Sequence, residues 1–303
     1  MIKYYKNSSR DKTLKRVEKF TKDCWIYVVD PTTKEINSLV RDFKLNRSNL
    51  YSGLDDNEVP RMDHIDHHSY IFTKIIFPDQ ENTLTTCLIV ITNTFILTLA
   101  KKDPEFLKKL KENDLEFVLD QRLKSAVALF TIIDKGFEDT TIEIVKLVHA
   151  KKKKIYELKE SDVNEVLAQE EILNNLVDAY NHSTLIYERI INNIKFYHEN
   201  KNLLKNLIVD AHQSLALCQS SLKTISHIRE SYNILLSNRL NRIITILTIF
   251  TIFISLPAAI SGLYGMNLNL PFQDHSFAFF YIIIFNIVIW ISLLIYFKKK
   301  RII

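Results

Sequence analysis

The residues best spaced to act together form a column. Counting by alternating fours and threes from Glu230 reaches Ile234, Ser237, Asn241, Ile244, Thr248, Thr251, Ser255, Ala258 and Gly262. On a helix this spacing keeps all of them on one face, so a carboxylate, an amide and four hydroxyls line up and the column ends in small residues. Ile246, Leu247, Ile249, Phe250, Ile252, Phe253 and Ile254 fill the other faces, with Thr245 the polar exception. Two uses fit. The hydroxyls can bond back to their own helix carbonyls or join helices together, or the column can line a water-filled pore. A repeat of about 3.5 residues is also that of a coiled-coil seam, so self-association follows under either use.

Other chemistry is poorly served. His64, Asp66, His67 and His68 lie close together, and strand alternation would put 64, 66 and 68 on one face, but no further ligand or Cys partner completes a zinc site. His212 and His227 read as helix-surface residues. Cys24, Cys87 and Cys218 are odd in number and have no ligand-like spacing, which fits a reducing cytoplasmic setting. Glycines at 53, 136, 262 and 265 cannot build a phosphate-binding loop, so no nucleotide is expected. Nor is a Ser/His/Asp elbow present, and an enzyme is not expected. The charge of +5 is spread over short clusters without interleaved aromatics, which argues against nucleic acid. Lys151 to Lys154 reads as a solvated helix face.

The elements that must position the column are long. Four Gly and six Pro in 303 residues leave few turns. Ile243 to Tyr264 and Ser276 to Phe297 each run about 22 residues without a charge, long enough to cross a bilayer as helices. Arg239 and Arg242 precede the first run and Lys298, Lys299, Lys300 and Arg301 follow the second, while the loop between holds only Asp274 and His275. By the positive-inside bias both termini are cytoplasmic and the short loop faces outward. The opening MIKYYKNSSRDKTLKR lacks the apolar core of a signal peptide.

Between Cys24 and Leu99, the runs CWIYVVD, YIFTKIIF, TTCLIVIT and TFILTL read as strands, with a helix near Lys34 to Phe43 capped by Thr32 or Thr33. A second helix start stands at Asp103-Pro104-Glu105, and amphipathic helices follow to about residue 200. From Lys201 no Gly intervenes before Gly262 and the only Pro is Pro257, so one helix can run from the cytoplasm into the membrane, about 90 Å long at 1.5 Å per residue. The expected fold is an α+β membrane protein. Its parts are an α/β cytoplasmic domain (1–115), a helical region (116–200), a stalk (201–242), a first membrane helix (243–264), an external loop (265–275), a second membrane helix (276–297) and a basic cytoplasmic tail (298–303).

At the outer end of the first membrane helix stands Tyr264-Gly265-Met266-Asn267, preceded by Pro257 and Gly262 and followed by a short loop and a final apolar helix. This arrangement resembles the CorA family of magnesium transporters. Cys24-Trp25-Ile26 with Asp30-Pro31-Thr32, and Leu54-Asp55 through Pro60-Arg61 before a Tyr70-containing strand, are similar to the family's cytoplasmic segments. The resemblance implies a homopentamer with Gly265, Met266 and Asn267 as the external filter and Tyr264 supporting it. It also implies an asparagine ring at Asn241, an inner entrance at Glu230 and Ser237, and a pore lined by Ile244, Thr248, Thr251, Ser255, Ala258 and Gly262. The chain departs from the family in its outer loop, where Leu268 to Gln273 leave Asp274 as the lone acid, and in Ser255 and Ala258 where other members can have methionine and threonine.

Such a protein would pass Mg²⁺, with Co²⁺ or Ni²⁺ as further cargo, across the cell membrane, driven by potential and without an organic cofactor. Mg²⁺ gives up its waters reluctantly, so five Asn267 carboxamides would hold the hydrated ion instead of stripping it. For a double charge, 100 mV supplies about 4.6 kcal/mol, twice the single-charge value. Such a drive calls for a cytoplasmic Mg²⁺ sensor, with Asp55, Asp56 and Glu58 of the acidic loop and Asp210 and Glu230 of the stalk as candidate ligands. Two alternatives remain: a zinc transporter of the same superfamily, and a two-helix receptor or scaffold that signals from its cytoplasmic domain.

Overall fold

The β-rich runs pair into one sheet. The computed structural model describes residues 1–10, 13–77, 84–112, 115–193, 198–266 and 277–299. Asn267, the loop beyond it to residue 275, Ser276 and the tail from Lys300 lie outside the described residues. Among the described residues seven strands, β1 (Ile2–Lys6), β2 (Lys15–Val17), β3 (Cys24–Val29), β4 (Arg61–Ile65), β5 (His68–Ile76), β6 (Leu84–Ile91) and β7 (Phe95–Ala100), stand in the order β2-β1-β3-β7-β6-β5-β4. Only the central β3–β7 pairing is parallel. Both of those strands are buried at nearly every position, which is why they read as unbroken apolar runs and not as alternating ones. The sheet ends in β2 (KRV) and β4 (RMDHI), whose charged residues discourage edge-to-edge pairing.

One face is covered by α1 (Thr33–Phe43) and α2 (Arg47–Ser52). Thr32 caps α1 in a reciprocal box with Glu35, and Lys44 ends the helix in the left-handed conformation at φ 53°. Ile36, Leu39 and Leu50 pack onto Ile26, Val28, Phe72, Leu88, Val90 and Leu97. Gly53, which ends α2, lies so close to the sheet that a Cβ would stand 2.7 Å from the Leu88 Cβ, so the residue is fixed by contact and not by backbone angle. On the opposite face the Trp25 Nε1 donates to Thr98 Oγ1 at 2.9 Å and its ring packs on Phe117.

The helices that follow are α3 (Phe106–Glu112), α4 (Arg122–Lys153), α5 (Glu160–Asn193), α6 (His198–Tyr264) and α7 (Ala278–Lys299). The chain divides into two units, Met1–Arg229 and Glu230–Ile303. In the first, α4 rests against β5, β6 and β7. The lysine run proves to be the last turn of α4, where cations favour the helix dipole. Lys151 bridges to Asp162 and Glu165 of α5, each at 2.6 Å. Leu204, Leu207, Ala211, Ser214, Cys218, Ser221, Ile225 and Ile228 of α6 are all buried, again at alternating threes and fours. Thr141 of α4 meets both the Tyr180 hydroxyl (3.3 Å) and Cys218 Sγ (3.5 Å), linking three helices. In the second unit, α6 and α7 are each long and apolar enough to cross a membrane. The stalk helix starts at His198, just before the expected Lys201, and α7 runs two residues past the expected Phe297.

Asp134 of α4 is a buried carboxyl that the fold satisfies only in part. Its Oδ1 accepts from the Tyr187 hydroxyl at 2.9 Å, while its Oδ2 is buried without a partner. Burial pushes its carboxyl from 3.8 up to about 8; the Tyr187 bond opposes the shift and the Asp210 charge adds to it. The folded chain therefore holds a proton there at neutral pH that the unfolded chain releases. The sign follows: the group's stability is fully present below the unfolded pKa, is lost as pH rises towards 8, and changes no further above that. In thermal unfolding of the full-length protein from about pH 5 to pH 9, wild type should lose stability relative to Asp134→Asn as pH rises. A difference between the two that is constant with pH would refute the assignment.

Candidate functional site

The polar column is laid open by the way α6 packs. In the first unit its buried positions end at Ile228. In the second, the partly buried residues include Ile249, Phe253, Leu256 and Ile260, spaced by threes and fours. These face α7, whose less exposed positions are Ile282, Asn286, Ile289, Leu293 and the buried Phe297; the Phe253 and Phe297 rings lie 6.3 Å apart. The column sits roughly 150° round the helix from this packed face, at about 100° per residue. Accordingly Glu230, Ser237, Asn241, Ile244, Thr248, Thr251, Ser255, Ala258 and Gly262 are all exposed within the single chain.

Its hydroxyls also have a defined orientation. Thr248 Oγ1 donates to Ile244 O (2.8 Å), Thr251 Oγ1 to Leu247 O (2.9 Å), and Ser255 Oγ to Ile252 O at a longer 3.4 Å. Thr245 does the same to Asn241 O at 2.8 Å. Each proton is spent on the helix, which leaves the oxygen lone pairs free. The two uses of the column are thus compatible. A hydroxyl that back-bonds to its helix still offers an acceptor to a cation or to its water.

At the C-terminal end of the column Tyr264 closes α6. The Gly265 N–H donates to Ser261 O at 3.0 Å and Gly262 O at 3.3 Å, and the Met266 N–H donates to Leu263 O at 3.3 Å. Among the described residues no glycine has positive φ. A Cβ on Gly265 would meet only ordinary contacts, the nearest 3.4 Å away, so backbone conformation does not account for its glycine. At Gly262 a Cβ would meet nothing within 4 Å. Met266 is half exposed. Asn267, the remaining filter residue expected, lies outside the described residues.

The acidic loop is largely satisfied. Asp56 takes Lys101 Nζ at 2.6 Å, Glu58 pairs with Arg61, and Asp55 Oδ1 accepts the Asn57 N–H at 3.0 Å. Lys74, its charged form disfavoured by burial, donates to the Asp56 carbonyl at 2.6 Å. Asp56, Glu58 and Lys74 line an open cavity of about 700 Å³ with Glu171, Asp178 and His182 of α5. Asp210 is exposed on α6. Arg61 lies three residues from Glu58 and was open to a spacing argument; Lys101, 45 residues from Asp56, carried no signal.

The histidine cluster does not form as alternation implies. Asp66 and His67 are a two-residue hairpin turn with φ 49° and 63°, so the strand ends at Ile65 and the face is broken. His64 Nδ1 instead meets Ser69 Oγ at 3.2 Å. Burial holds the His68 imidazole below its usual pKa. Among the described residues no group of three or more His, Cys, Asp or Glu is placed to hold a metal ion.

Comparison with known proteins agrees with this architecture. The family described as CorA-like Mg2+ transporter protein matches residues 22–299. The cobalt/magnesium transport protein CorA of Methanocaldococcus jannaschii is 23% identical over 297 residues, covering 91% of this chain and 90% of that protein. The complete structure of the CorA magnesium transporter from the same organism superposes with a TM-score of 0.85 at 17% identity, covering 99% of this chain and 98% of the other. The ZntB cytoplasmic domain from Vibrio parahaemolyticus aligns less well, with a TM-score of 0.52 at 12% identity over 79% of this chain and 97% of that domain. The sheet, the long helix and the two apolar helices thus share one fold with the complete CorA structure, and the match across residues 22–299 means that the chain belongs to the CorA family.

Proposed function

We propose that five copies of this chain surround one axis and conduct Mg²⁺, with Co²⁺ as a further cargo, into the cytoplasm across the cell membrane. The observation that carries this reading is the exposed polar column of α6, which the chain's own α7 leaves uncovered. Two helices per chain cannot enclose water, so the column needs other copies of itself to become a pore. In the closed ring Glu230 and Ser237 form the inner entrance, Asn241 the inner amide ring, and Ile244, Thr248, Thr251, Ser255, Ala258 and Gly262 the lining. Gly265, Met266 and Asn267 stand at the outer mouth, supported by Tyr264.

The lining suits a hydrated divalent ion. Threonine oxygens whose protons are spent on the helix present acceptors and no charge, so they orient the ion's waters without trapping the ion. No bond is made or broken, and the membrane potential supplies the drive. The Met266 thioether is a poor match for hard Mg²⁺ and serves as packing. Both termini then lie in the cytoplasm, and the basic residues flanking the two helices support that orientation.

The full-length protein in liposomes carrying a Mg²⁺-sensitive dye should admit Mg²⁺ when the interior is made negative, and Asn267→Ala should abolish that entry while leaving insertion intact. Entry of Zn²⁺ alone would favour zinc transport, and entry of neither ion would favour a receptor. Native mass spectrometry in detergent should show a pentamer; a conducting dimer or monomer would overturn the shared axial pore.

Regulation belongs to the cytoplasmic unit in this reading. Mg²⁺ held between neighbouring copies by Asp55, Asp56 and Glu58, with Asp210 and Glu230 on the long helix, would stabilise the closed ring only as far as it binds that state more tightly. Neutralising Asp55, Asp56 and Glu58 together should weaken inhibition of the current by internal Mg²⁺ in the millimolar range. Inhibition identical to wild type would exclude this loop as the sensor.

A further inference from the structure

Pro257 lies inside α6 and has no backbone N–H. The carbonyl four residues earlier, that of Phe253, therefore loses its helical donor. In a bilayer no water replaces it, and a bare carbonyl in hydrocarbon is costly. The second membrane helix supplies the missing proton: Trp290 Nε1 of α7 donates to Phe253 O at 3.0 Å. Among the described residues no other hydrogen bond crosses between α6 and α7, and the Phe253 and Phe297 rings add an apolar contact. Asn286, one turn before Trp290, gives its amide proton to its own helix at Ile282 O instead.

We propose that Trp290 is a positioning residue that clamps the lining helix at its proline. The indole stands in for the backbone N–H that Pro257 lacks and ties that turn of α6 to α7. The clamped stretch, Phe253 to Pro257, contains Ser255 and leads directly into Ala258, two members of the polar column. The outer helix thereby fixes where those side chains stand. Without the indole the Phe253 carbonyl is unpaired, and the turn can open or rotate to seek another donor. The effect on conduction rests on the pore reading given above; the clamp itself does not.

The test is a double-mutant cycle on the full-length protein, because Pro257→Ala returns a backbone N–H to the Phe253 carbonyl. Trp290→Phe keeps an aromatic ring and removes the donor. It should weaken the α6–α7 unit by about fivefold in its folding equilibrium, the factor of one ordinary hydrogen bond, and shift the Mg²⁺ entry rate by a similar factor. In the Pro257→Ala background the same change should cost less than about twofold, since the carbonyl is already satisfied. An equal cost in both backgrounds would mean that Trp290 acts by packing alone and would overturn the proposal. Should Trp290→Phe fail to fold, recovery of folding in the double variant supports the clamp, and failure of the double variant where Pro257→Ala folds sinks it.

A spectroscopic readout separates this proposal from the pore reading. The chain has two tryptophans, and Trp290 is the one in the membrane unit. Its indole proton should be hydrogen-bonded and slow to exchange with deuterium in wild type, and should exchange faster once Pro257→Ala supplies a competing donor. Fast exchange in wild type would overturn the clamp even if Mg²⁺ entry is robust. Slow exchange together with an absence of Mg²⁺ entry would leave the clamp standing and reject the pore.

Discussion

A helix packed along one face has only its other faces to offer a partner. In α6 the packed face is set by a repeat of threes and fours: Leu204 to Ile228 bury it in the first unit, and Ile249, Phe253, Leu256 and Ile260 meet α7 in the second. In the second unit the face turned away from α7 carries the hydroxyls of Thr248, Thr251 and Ser255. The division of labour is thus geometric: self-contained packing on one side, exposed polar groups on the other.

The first unit has polar packing between its helices. Thr141, Ser214, Cys218 and Ser221 occupy buried positions where larger apolar side chains would be expected. Small residues let the helices approach closely, and the hydroxyls then bond across the gap or back to their own helices. Asp134 and Tyr187 extend the pattern to a titratable pair. Buried polar groups favour one alignment of the helices over slipped ones, because any slip leaves them unpaired. The sheet is built on the opposite logic, with a continuous apolar centre and charged edges.

Much of this could be read from the amino-acid order. The strands β3, β5, β6 and β7 announce themselves as β-branched runs, α1 by its Thr32–Glu35 box, and α6 and α7 by composition and length. The strands β1, β2 and β4 could not be read that way, since Lys, Arg, Asp and His interrupt them at sheet edges or beside them. Asp66-His67 hid a hairpin because neither residue is a glycine, although both tolerate the left-handed region better than most. The packed face of α6 escaped notice for a related reason: Ser214, Cys218 and Ser221 break any apolar periodicity. Within the site the exposed column was legible from spacing alone. The bond from Trp290 to Phe253 joins residues 37 apart in sequence, and only the missing N–H of Pro257 hinted that a donor was needed.

The count of threes and fours beside α7 also restricts how this protein can change during evolution. A single residue inserted between Ile249 and Ile260 would rotate everything beyond it by about 100°. The α7-facing positions before and after the insertion would then fall on different sides of the same helix, and Thr248 would swing out of line with Gly262. Homologous chains should therefore keep the length of this stretch fixed, however freely their loops vary.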